Sequence, residues 1–333
     1  MLKKPSTERS PAQLPSRPLH ATCRIQTYHE AGKPSVSLKD QVVVRFYPPP
    51  EDLRRYFTTF YMTEFDPGAD QALCDALQPE WAGLRFFREI GPDAWIEGGP
   101  RLESVKFFAS GPSSRPIHFH MPRTRMWGVG LLPLGWARFV RQSASDWANV
   151  ICDGTADPRM SEFVPLAETL FGAQPDEAAE LGRITAFFRN FSGPAPVDEK
   201  RIVAVHSAMV DESLTSVSQL VDRVAASLRT VERICGRHFG FSPKLLLRRQ
   251  RFMRSLAQFM LDPSLKWIGA MDSHYHDQAQ FVRDFREFMG VSPREYAATP
   301  HPILGPIMQE RNRVYGVAVQ TLDRPDRGAR PPA

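Results

Sequence analysis

Two stretches of the chain, residues 216–243 and 267–293, share one pattern of hydrophobic and polar positions. In each, a short amphipathic tract is followed by a break, a polar residue and a second amphipathic tract, and each stretch ends in Ser-Pro. In the first stretch the apolar positions recur at helical spacing through Leu220, Val224, Val231, Ile234 and Cys235. A one-sided stripe of this kind predicts helices packed on a small core.

The residue that opens the second tract of each stretch is suited to cap a helix. Ser227 and Asp277 carry side-chain oxygens that accept hydrogen bonds from the free amides at a helix start, which predicts an N-cap at both positions. Two short helices separated by a break of a few residues form a helix-turn-helix. The pattern therefore predicts two helix-turn-helix units, with Phe281 and Phe285 facing the core of the second.

Residues 36–155 have a different pattern of hydrophobic and polar positions. Short aromatic and β-branched runs, such as residues 41–47, are separated by Gly and Pro turns about every ten to twelve residues, which predicts an antiparallel sandwich or barrel. Residues 156–204 return to helical spacing and predict a helical connector, which either packs within the chain or pairs with a second copy. Residues 1–35 are predicted to be largely disordered and residues 301–333 to be a flexible tail.

Composition narrows the class of protein. A chain of 333 residues with 42% hydrophobic content is long enough for two globular domains. No apolar run approaches the roughly 20 residues that span a bilayer, and the first residues lack the apolar core of a secretory signal, so a cytoplasmic protein with no membrane partner is predicted. The four cysteines form no C-x-x-C pair, which favours reduced thiols.

The positive charge is concentrated in one place. Residues 227–254 hold eight basic side chains and one acidic one, whereas the whole chain has a net charge of +5. The rest of the chain is therefore slightly acidic. A local basic tract within a helix-turn-helix frame indicates a polyanionic partner, and the alternative is a solvated helix surface.

Residues from about 205 to 297 resemble the DNA-binding domain of the AraC family. The resemblance is carried by Phe239-Gly-Phe-Ser-Pro-Lys, by Arg248-Arg-Gln-Arg and by the run from Tyr275 to Tyr296. It implies an all-α domain over residues 205–300, with two helix-turn-helix units joined by a long helix and reading consecutive major grooves. The chain departs from the family at Ala225, Gly269 and His274, and a residue other than Gly in a left-handed turn costs roughly 1 kcal/mol.

The N-terminal half carries a looser resemblance. Pro48-Pro-Pro and Leu131-Leu-Pro-Leu-Gly-Trp136 are similar to a cupin-like domain found in some AraC-type regulators, which implies a sensor or dimerisation module. The predicted fold class is therefore α+β and multidomain. An N-terminal antiparallel β-barrel or sandwich of cupin-like type is followed by the helical connector and by the all-α domain with two helix-turn-helix units.

The outward residues of the two recognition helices are the candidate DNA contacts. Arg can bind guanine bidentately and Glu can accept from cytosine, whereas cations further along a helix suit phosphates. The candidates for base contact are Arg229, Glu232, Arg233, Gln278, Ala279, Val282 and Arg283. The candidates for phosphate contact are Thr230, Arg237, Lys244 and Arg286. For each of them the alternative is a solvated surface residue.

Other chemistry has weaker signals. Four tryptophans are candidates to line an apolar effector pocket or to pack in the core, namely Trp81, Trp95, Trp127 and Trp136. His118 and His120 share one face of a strand, but no further ligand follows at cupin spacing, so no metal is predicted there or at the His274-x-His276 pair. No phosphate loop and no nucleophile elbow are present, so neither a cofactor nor an enzymatic activity is predicted.

The predicted function is that of a sequence-specific DNA-binding transcriptional regulator controlled by a small-molecule effector at its N-terminal domain. The predicted partners are double-stranded promoter DNA, RNA polymerase, an effector of unknown identity and a second copy of the chain in a homodimer. One alternative is a ligand-binding sensor whose second DNA-binding unit has decayed, suggested by Gly269 and His274. Another is a DNA-repair enzyme carrying a similar helical domain, which would require a reactive cysteine cluster that the sequence lacks.

Overall fold

The computed structural model describes residues 41–68 and 71–325, and the predicted disordered segment 1–35 lies outside them. The described part contains strands β1 (Val42–Tyr47), β2 (Phe57–Phe65), β3 (Leu73–Leu77), β4 (Ala82–Phe87), β5 (Asp93–Trp95), β6 (Arg101–Leu102), β7 (Phe107–Ser110), β8 (Ile117–Met121), β9 (Thr124–Leu131) and β10 (Ile151–Asp153). Its α-helices are α1 (Pro133–Gly135), α2 (Val164–Thr169), α3 (Glu177–Arg189), α4 (Glu199–Met209), α5 (Val217–Val224), α6 (Leu228–Phe239), α7 (Pro243–Leu261), α8 (Lys266–Ala270), α9 (Gln278–Met289), α10 (Pro293–Ala298) and α11 (Leu304–Tyr315).

The strands form two antiparallel sheets. One has six strands in the order β1-β2-β9-β4-β7-β10 and the other has four in the order β3-β8-β5-β6. Apolar residues from both sheets meet in one cluster, which includes Phe65, Phe108 and Met126 from the larger sheet and Ile117 and Met121 from the smaller. The prediction of an antiparallel β-rich N-terminal region is confirmed, and the strands form two facing sheets instead of one closed barrel.

The connector helices pack within the chain. Ile184 and Phe188 of α3 are buried in the core under the six-stranded sheet. Glu180 of the same helix is fully buried and accepts hydrogen bonds from Arg125 Nη2 at 2.8 Å and Trp127 Nε1 at 2.6 Å. Because the charge of Glu180 is paired and hydrogen-bonded, its burial is tolerated, and α3 is fixed to strand β9.

The first helix-turn-helix and the β-rich region share a core. Trp81 and Leu132 from the β-rich region pack in the same cluster as Ile202 of α4 and Phe239 of α6. Gly240 follows α6 at φ +85°, and a Cβ there would come within 3.0 Å of the Ala144 carbonyl oxygen. Both the left-handed backbone and the close approach therefore require glycine at this contact.

Residues 301–325 differ from the predicted flexible tail. Leu304 and Met308 of α11 are buried with the second helix-turn-helix. Asp75 of β3 accepts hydrogen bonds from the amides of Ile303 and Leu304 at 2.9 and 2.8 Å, so a carboxylate of the β-rich region caps the start of α11. The C-terminal segment, residues 301–325, thus bridges the second DNA-binding unit and the sheets.

None of the helices in the described ranges has the length and apolar character that crossing a membrane would require.

Candidate nucleic-acid interface and ligand cavity

The first helix-turn-helix is α5, a three-residue turn and α6. Ser216 and Gln219 form a capping box at the start of α5, and the Ser227 hydroxyl accepts from the Thr230 amide at 3.2 Å, as predicted for an N-cap. Ala225 ends α5 in the left-handed region, with φ 50° and ψ 47°. The strain expected at a turn position without glycine is therefore present at Ala225.

The second unit consists of α8 and α9, and its first helix is shorter than that of the first unit: α8 has 5 residues and no side-chain cap, whereas α5 has 8 and a capping box. Asp277 caps α9 by accepting from the Gln280 amide at 2.6 Å, and Phe281 and Phe285 are buried, as predicted. His274 is not among the described non-glycine residues with positive φ, and its Nδ1 lies 2.9 Å from Asp272 Oδ1. The departure from the family at His274 therefore introduces no left-handed strain at that residue, whereas Lys266 at the start of α8 has a positive φ of 52°.

The second helix of each unit presents polar residues outward over a buried face. In α6, Val231, Ile234 and Cys235 are buried, while Arg229, Glu232, Arg233 and Arg237 are exposed. In α9 the exposed residues are Gln278, Ala279, Arg283 and Arg286, whereas Val282 is half-buried. Lys244 is exposed at the start of α7, and Thr230 is half-buried with its hydroxyl 2.9 Å from that of Ser227.

Arg233 is held by an acidic residue of its own chain. Its Nη1 and Nη2 atoms donate to Asp198 Oδ2 and Oδ1 at 2.8 and 3.1 Å. These hydrogen bonds hold the pKa of the Asp198 carboxyl well below its usual range. Asp198 is the residue before α4, and its Oδ2 atom also lies 3.5 Å from His238 Nε2 of α6. It therefore connects α6 to the start of α4.

The basic tract predicted from the sequence is largely neutralised in the fold. Arg248 and Arg251 of α7 pair with Asp284 of α9 at 2.6 and 3.0 Å, and Arg254 pairs with Asp272. Arg249 is fully buried. The three paired arginines therefore fix α7 to the second helix-turn-helix unit, and the outward positive charge of the tract comes from its other members.

Arg249 and its neighbour Gln250 connect α7 to the β-rich region and the C-terminal segment. Arg249 Nη1 donates to the carbonyl oxygens of Ser113 at 2.8 Å and Glu80 at 3.3 Å, and its guanidinium lies 4.2 Å from the centre of the Trp81 ring. Burial lowers the pKa of Arg249 to about 9, so it stays charged at neutral pH. Gln250 Nε2 donates to the Thr321 carbonyl oxygen at 2.7 Å.

A cavity opens between the two sheets and the C-terminal segment. The space in it that a water-sized molecule can reach is about 100 Å³, and its walls are mostly apolar. Glu80 and Arg85 form a buried pair at 2.7 Å in its lining. Although burial opposes it, the Glu80 carboxylate raises the pKa of Arg85 above its ordinary value. Residues of the C-terminal segment complete the lining, namely Ile303, Leu304, Ile307, Arg311, Ala318 and Gln320.

The four tryptophans predicted as pocket residues do not line this cavity. Trp81, Trp127 and Trp136 are buried in hydrophobic cores. Trp95 stacks on His118 with ring centres 5.4 Å apart and lies below the guanidinium of Arg101. The cavity between the sheets is lined by other aromatic residues, among them Phe46, Tyr61 and Phe119, so the tryptophans are not the residues that would hold a ligand in it.

His118, His120 and the thiols of Cys152 and Cys235 lie in surroundings that disfavour their charged forms. His118 and His120 pack around Trp95, burial lowers the pKa of both, and no described cluster of three or more metal-binding side chains is present. Burial raises the pKa of Cys152 and Cys235 to about 12. Thiols with such a pKa are poor nucleophiles, which disfavours an alkyl-transfer enzyme using either of them.

Sequence reasoning missed Asp198, Glu80, Arg85 and Arg311. Arg85 and Arg311 lie in segments whose pattern indicates only a strand and a polar tail, and their carboxylate partners, Glu80 and Asp323, are 5 and 12 residues away. The one local signal was Asp75, an acidic residue in an otherwise apolar strand, which caps α11. These pairs, like that of Asp198 with Arg233, form only in the folded chain, and periodicity does not reveal them.

The fold and these surfaces define a DNA-binding protein with two helix-turn-helix units. Residues 220–299 match a protein family described as "Helix-turn-helix domain". The match confirms the AraC-type DNA-binding domain predicted from the sequence, and the chain thus carries the DNA-binding domain of a transcriptional regulator. No curated protein matches the chain.

Three solved structures illustrate the structural similarity. ToxT from Vibrio cholerae is 9% identical and covers 78% of this chain and 98% of its own, with a TM-score of 0.39. ToxT bound to an unsaturated fatty acid is 8% identical over 77% of this chain and 94% of its own, with a TM-score of 0.37. The AraC-like transcriptional activator CuxR is 11% identical over 66% and 89%, with a TM-score of 0.22. Similarities of this size carry no argument about this chain.

Proposed function

We propose that this protein binds specific promoter DNA through α6 and α9, and that a small molecule held in the cavity controls this binding. The observation that carries the proposal is the pair of recognition helices. Each is N-capped after a turn, buries an apolar face and leaves a row of polar side chains exposed. The long helix α7 joins the two units, as two-groove reading requires.

The exposed residues near the start of each helix are suited to read bases. On α6, Arg229 suits guanine and Glu232 suits cytosine. On α9, Gln278 suits adenine and Arg283 suits guanine. Ala279 and half-buried Val282 offer apolar contact to a thymine methyl group, and Arg233 joins the readers once it leaves Asp198.

A small set of cations supplies the phosphate contacts. The exposed cations placed for phosphates, Arg237, Lys244 and Arg286, form no ion pair with any described side chain. Each neutralised phosphate adds roughly 0.9 to the log–log salt slope, so three contacts give a slope of about 3. A slope of about 5 would instead require the three paired arginines of α7 to leave their carboxylates as well.

Control by an effector follows from the position of the cavity. Glu80 lines the cavity with its side chain and accepts from Arg249 with its carbonyl oxygen. Gln320 lines the cavity, and the neighbouring Thr321 accepts from Gln250. A ligand that moves either wall therefore acts directly on α7, and it changes DNA affinity to the extent that it binds two arrangements of α7 differently.

The remaining assignments follow from this role. RNA polymerase and a second copy of the chain are proposed partners, since a regulator acts at promoters and symmetric dimers are the commonest oligomers. The proposed role is regulatory and not enzymatic, and the proposed compartment is the cytoplasm, where promoter DNA lies.

Footprinting on DNA from the upstream region of its own gene tests this role. Two recognition helices in consecutive major grooves should protect two sites about 10 base pairs apart. Arg229→Ala should remove the base-specific protection in one groove, and Arg283→Ala should remove it in the other. The control is Arg123→Ala in the β-rich region, where Arg123 is exposed, and it should change neither. Protection of a single groove, or loss at both grooves from one substitution, would contradict two-unit reading.

A further inference from the structure

We propose that the cavity takes an uncharged, largely apolar molecule carrying an alcohol or carbonyl oxygen, and that Arg311 of the C-terminal segment is its polar anchor. The inference rests on the proposed function, because this molecule would be the proposed effector. It is drawn from the hydrogen-bonding state of the polar side chains in the lining.

Most polar side chains of the cavity are already satisfied by one another. Arg85 donates two hydrogen bonds to the Glu80 carboxylate and one to the Tyr61 hydroxyl. Gln320 donates to Glu80 and accepts from the Thr58 hydroxyl at 3.3 Å. The Thr59 hydroxyl lies 2.8 Å from the Tyr315 hydroxyl. These groups have little left to offer a ligand.

Two lining residues keep unused hydrogen-bonding atoms. Arg311 is 4% exposed, and its Nε and Nη1 atoms have no partner. Gln78 is 6% exposed, and its Oε1 atom has none either. A buried polar atom without a partner costs roughly 1–3 kcal/mol, so a molecule that satisfies these atoms gains affinity from them. The unused set consists of two donors and one acceptor, which a hydroxyl group complements.

The charges of the lining decide between a neutral and an anionic ligand. Glu80 is balanced by Arg85, and Arg311 is balanced by Asp323, to which its Nη2 donates. A carboxylate entering this space would add an uncompensated charge among apolar walls, or would have to displace Asp323 from Arg311. A neutral oxygen accepts from Arg311 without either cost.

The anchor lies on a segment that follows the DNA-binding domain in the sequence. Asp75 caps α11 from the sheet side, and Gln250 of α7 binds the Thr321 carbonyl oxygen. A ligand held by Arg311 therefore fixes the C-terminal segment between the sheets and α7. Through this segment, ligand binding affects the position of α7, which joins the DNA-binding units.

Three probes of equal chain length test the ligand class on the full-length protein. Binding of 1-decanol, decanoate and decane is measured at pH 7.5 by displacement of the uncharged fluorophore N-phenyl-1-naphthylamine. We expect 1-decanol to bind about tenfold or more tightly than either of the others, as one hydrogen bond to a charged group predicts.

Two substitutions locate the contact. Arg311→Lys keeps the charge opposite Asp323 but removes the unused guanidinium donors, and it should weaken 1-decanol binding about tenfold. Gln78→Met should weaken binding of 1-decanol but leave that of 2-undecanone, which has no hydroxyl to donate, unchanged. Arg313→Lys, on the exposed side of the same helix, is the matched control and should have no effect. Circular dichroism checks that each variant is folded.

The outcomes separate the two proposals. Tighter binding of decanoate, lost in Arg311→Lys, would overturn the uncharged class and leave the cavity as the proposed effector site. Equal 1-decanol affinity in Arg311→Lys and Arg313→Lys would overturn Arg311 as the anchor. If none of the probes displaces the fluorophore, the proposed ligand class is overturned. DNA binding measured on the same preparation reports separately on the regulator.

Discussion

Replacing Asp198 by Asn should strengthen DNA binding by releasing Arg233. In the structure, both terminal nitrogens of Arg233 are occupied by the Asp198 carboxylate at 2.8 and 3.1 Å. A nucleic-acid phosphate or base competes with that carboxylate for the same donors. The substitution removes the negative charge and leaves a side chain of the same shape, so α6 should keep its position.

The size of the effect follows from the exposure of the pair. The Arg233 side chain is 48% exposed, and exposed ion pairs contribute roughly 0.2–1 kcal/mol. Two hydrogen bonds in a forked geometry place this pair at about 1 kcal/mol, which corresponds to about a fivefold gain in DNA affinity. Because Arg233 then reaches a phosphate or base, the salt slope should rise by up to about 0.9.

The assay is fluorescence anisotropy with upstream DNA at several salt concentrations. Asp52→Asn is the matched control, since Asp52 forms a similar forked pair with Arg189 on α3 and its loss changes the net charge equally. The gain from Asp198→Asn should disappear in an Arg233→Gln background. An equal gain from Asp52→Asn, or a gain that persists without Arg233, would refute the release of Arg233.

Three further predictions concern stability. Ala225→Gly should raise the free energy of unfolding by up to about 1 kcal/mol in urea denaturation, because Ala225 has φ 50° and the freedom gained in the unfolded chain offsets part of the relief; a loss would contradict the left-handed turn. Burial lowers the pKa of His206 from 6.5 to about 3, so between these pH values the unfolded state binds more protons than the folded state. The free energy of unfolding should therefore fall as the pH drops below about 6.5, by up to about 1.4 kcal/mol per pH unit. An equal dependence of the unfolding free energy on pH in His206→Gln would contradict this. Glu180→Ala should cost about 3–5 kcal/mol by leaving Arg125 buried without its partner, whereas a cost below about 1 kcal/mol would mean that α3 is not fixed to β9.

The sequence carried enough local information for the DNA-binding units. Apolar spacing placed Val231 and Phe285 inward, and the capping roles of Ser227 and Asp277 follow from residue type and position alone. The left-handed turn at Ala225 was likewise visible, because a tight break in a fixed frame constrains one residue. Helix periodicity, caps and turns are local, so they can be predicted before the tertiary structure is known.

Interactions between distant parts of the chain were beyond such reasoning. The arginines of α7 formed a basic run in the sequence, but Asp284 and Asp272, which neutralise Arg248, Arg251 and Arg254, lie 18 to 36 residues further on. The C-terminal segment looked like a polar tail because it has few apolar residues, and these become buried only when they pack on the second helix-turn-helix unit and the sheets. The charge run therefore overstated the unpaired positive charge of α7, and the tail gave no sign of its packing.

The measurement that tests the central claim most directly is equilibrium binding of the full-length protein to its upstream DNA and to a scrambled duplex across a salt series, with and without 1-decanol. The account predicts a preference of roughly a thousandfold or more for the specific duplex. Arg229→Ala and Arg283→Ala should each weaken the specific complex by about 1–3 kcal/mol while changing the scrambled complex far less. Equal losses on both duplexes, or no preference in either condition, would contradict sequence reading by α6 and α9.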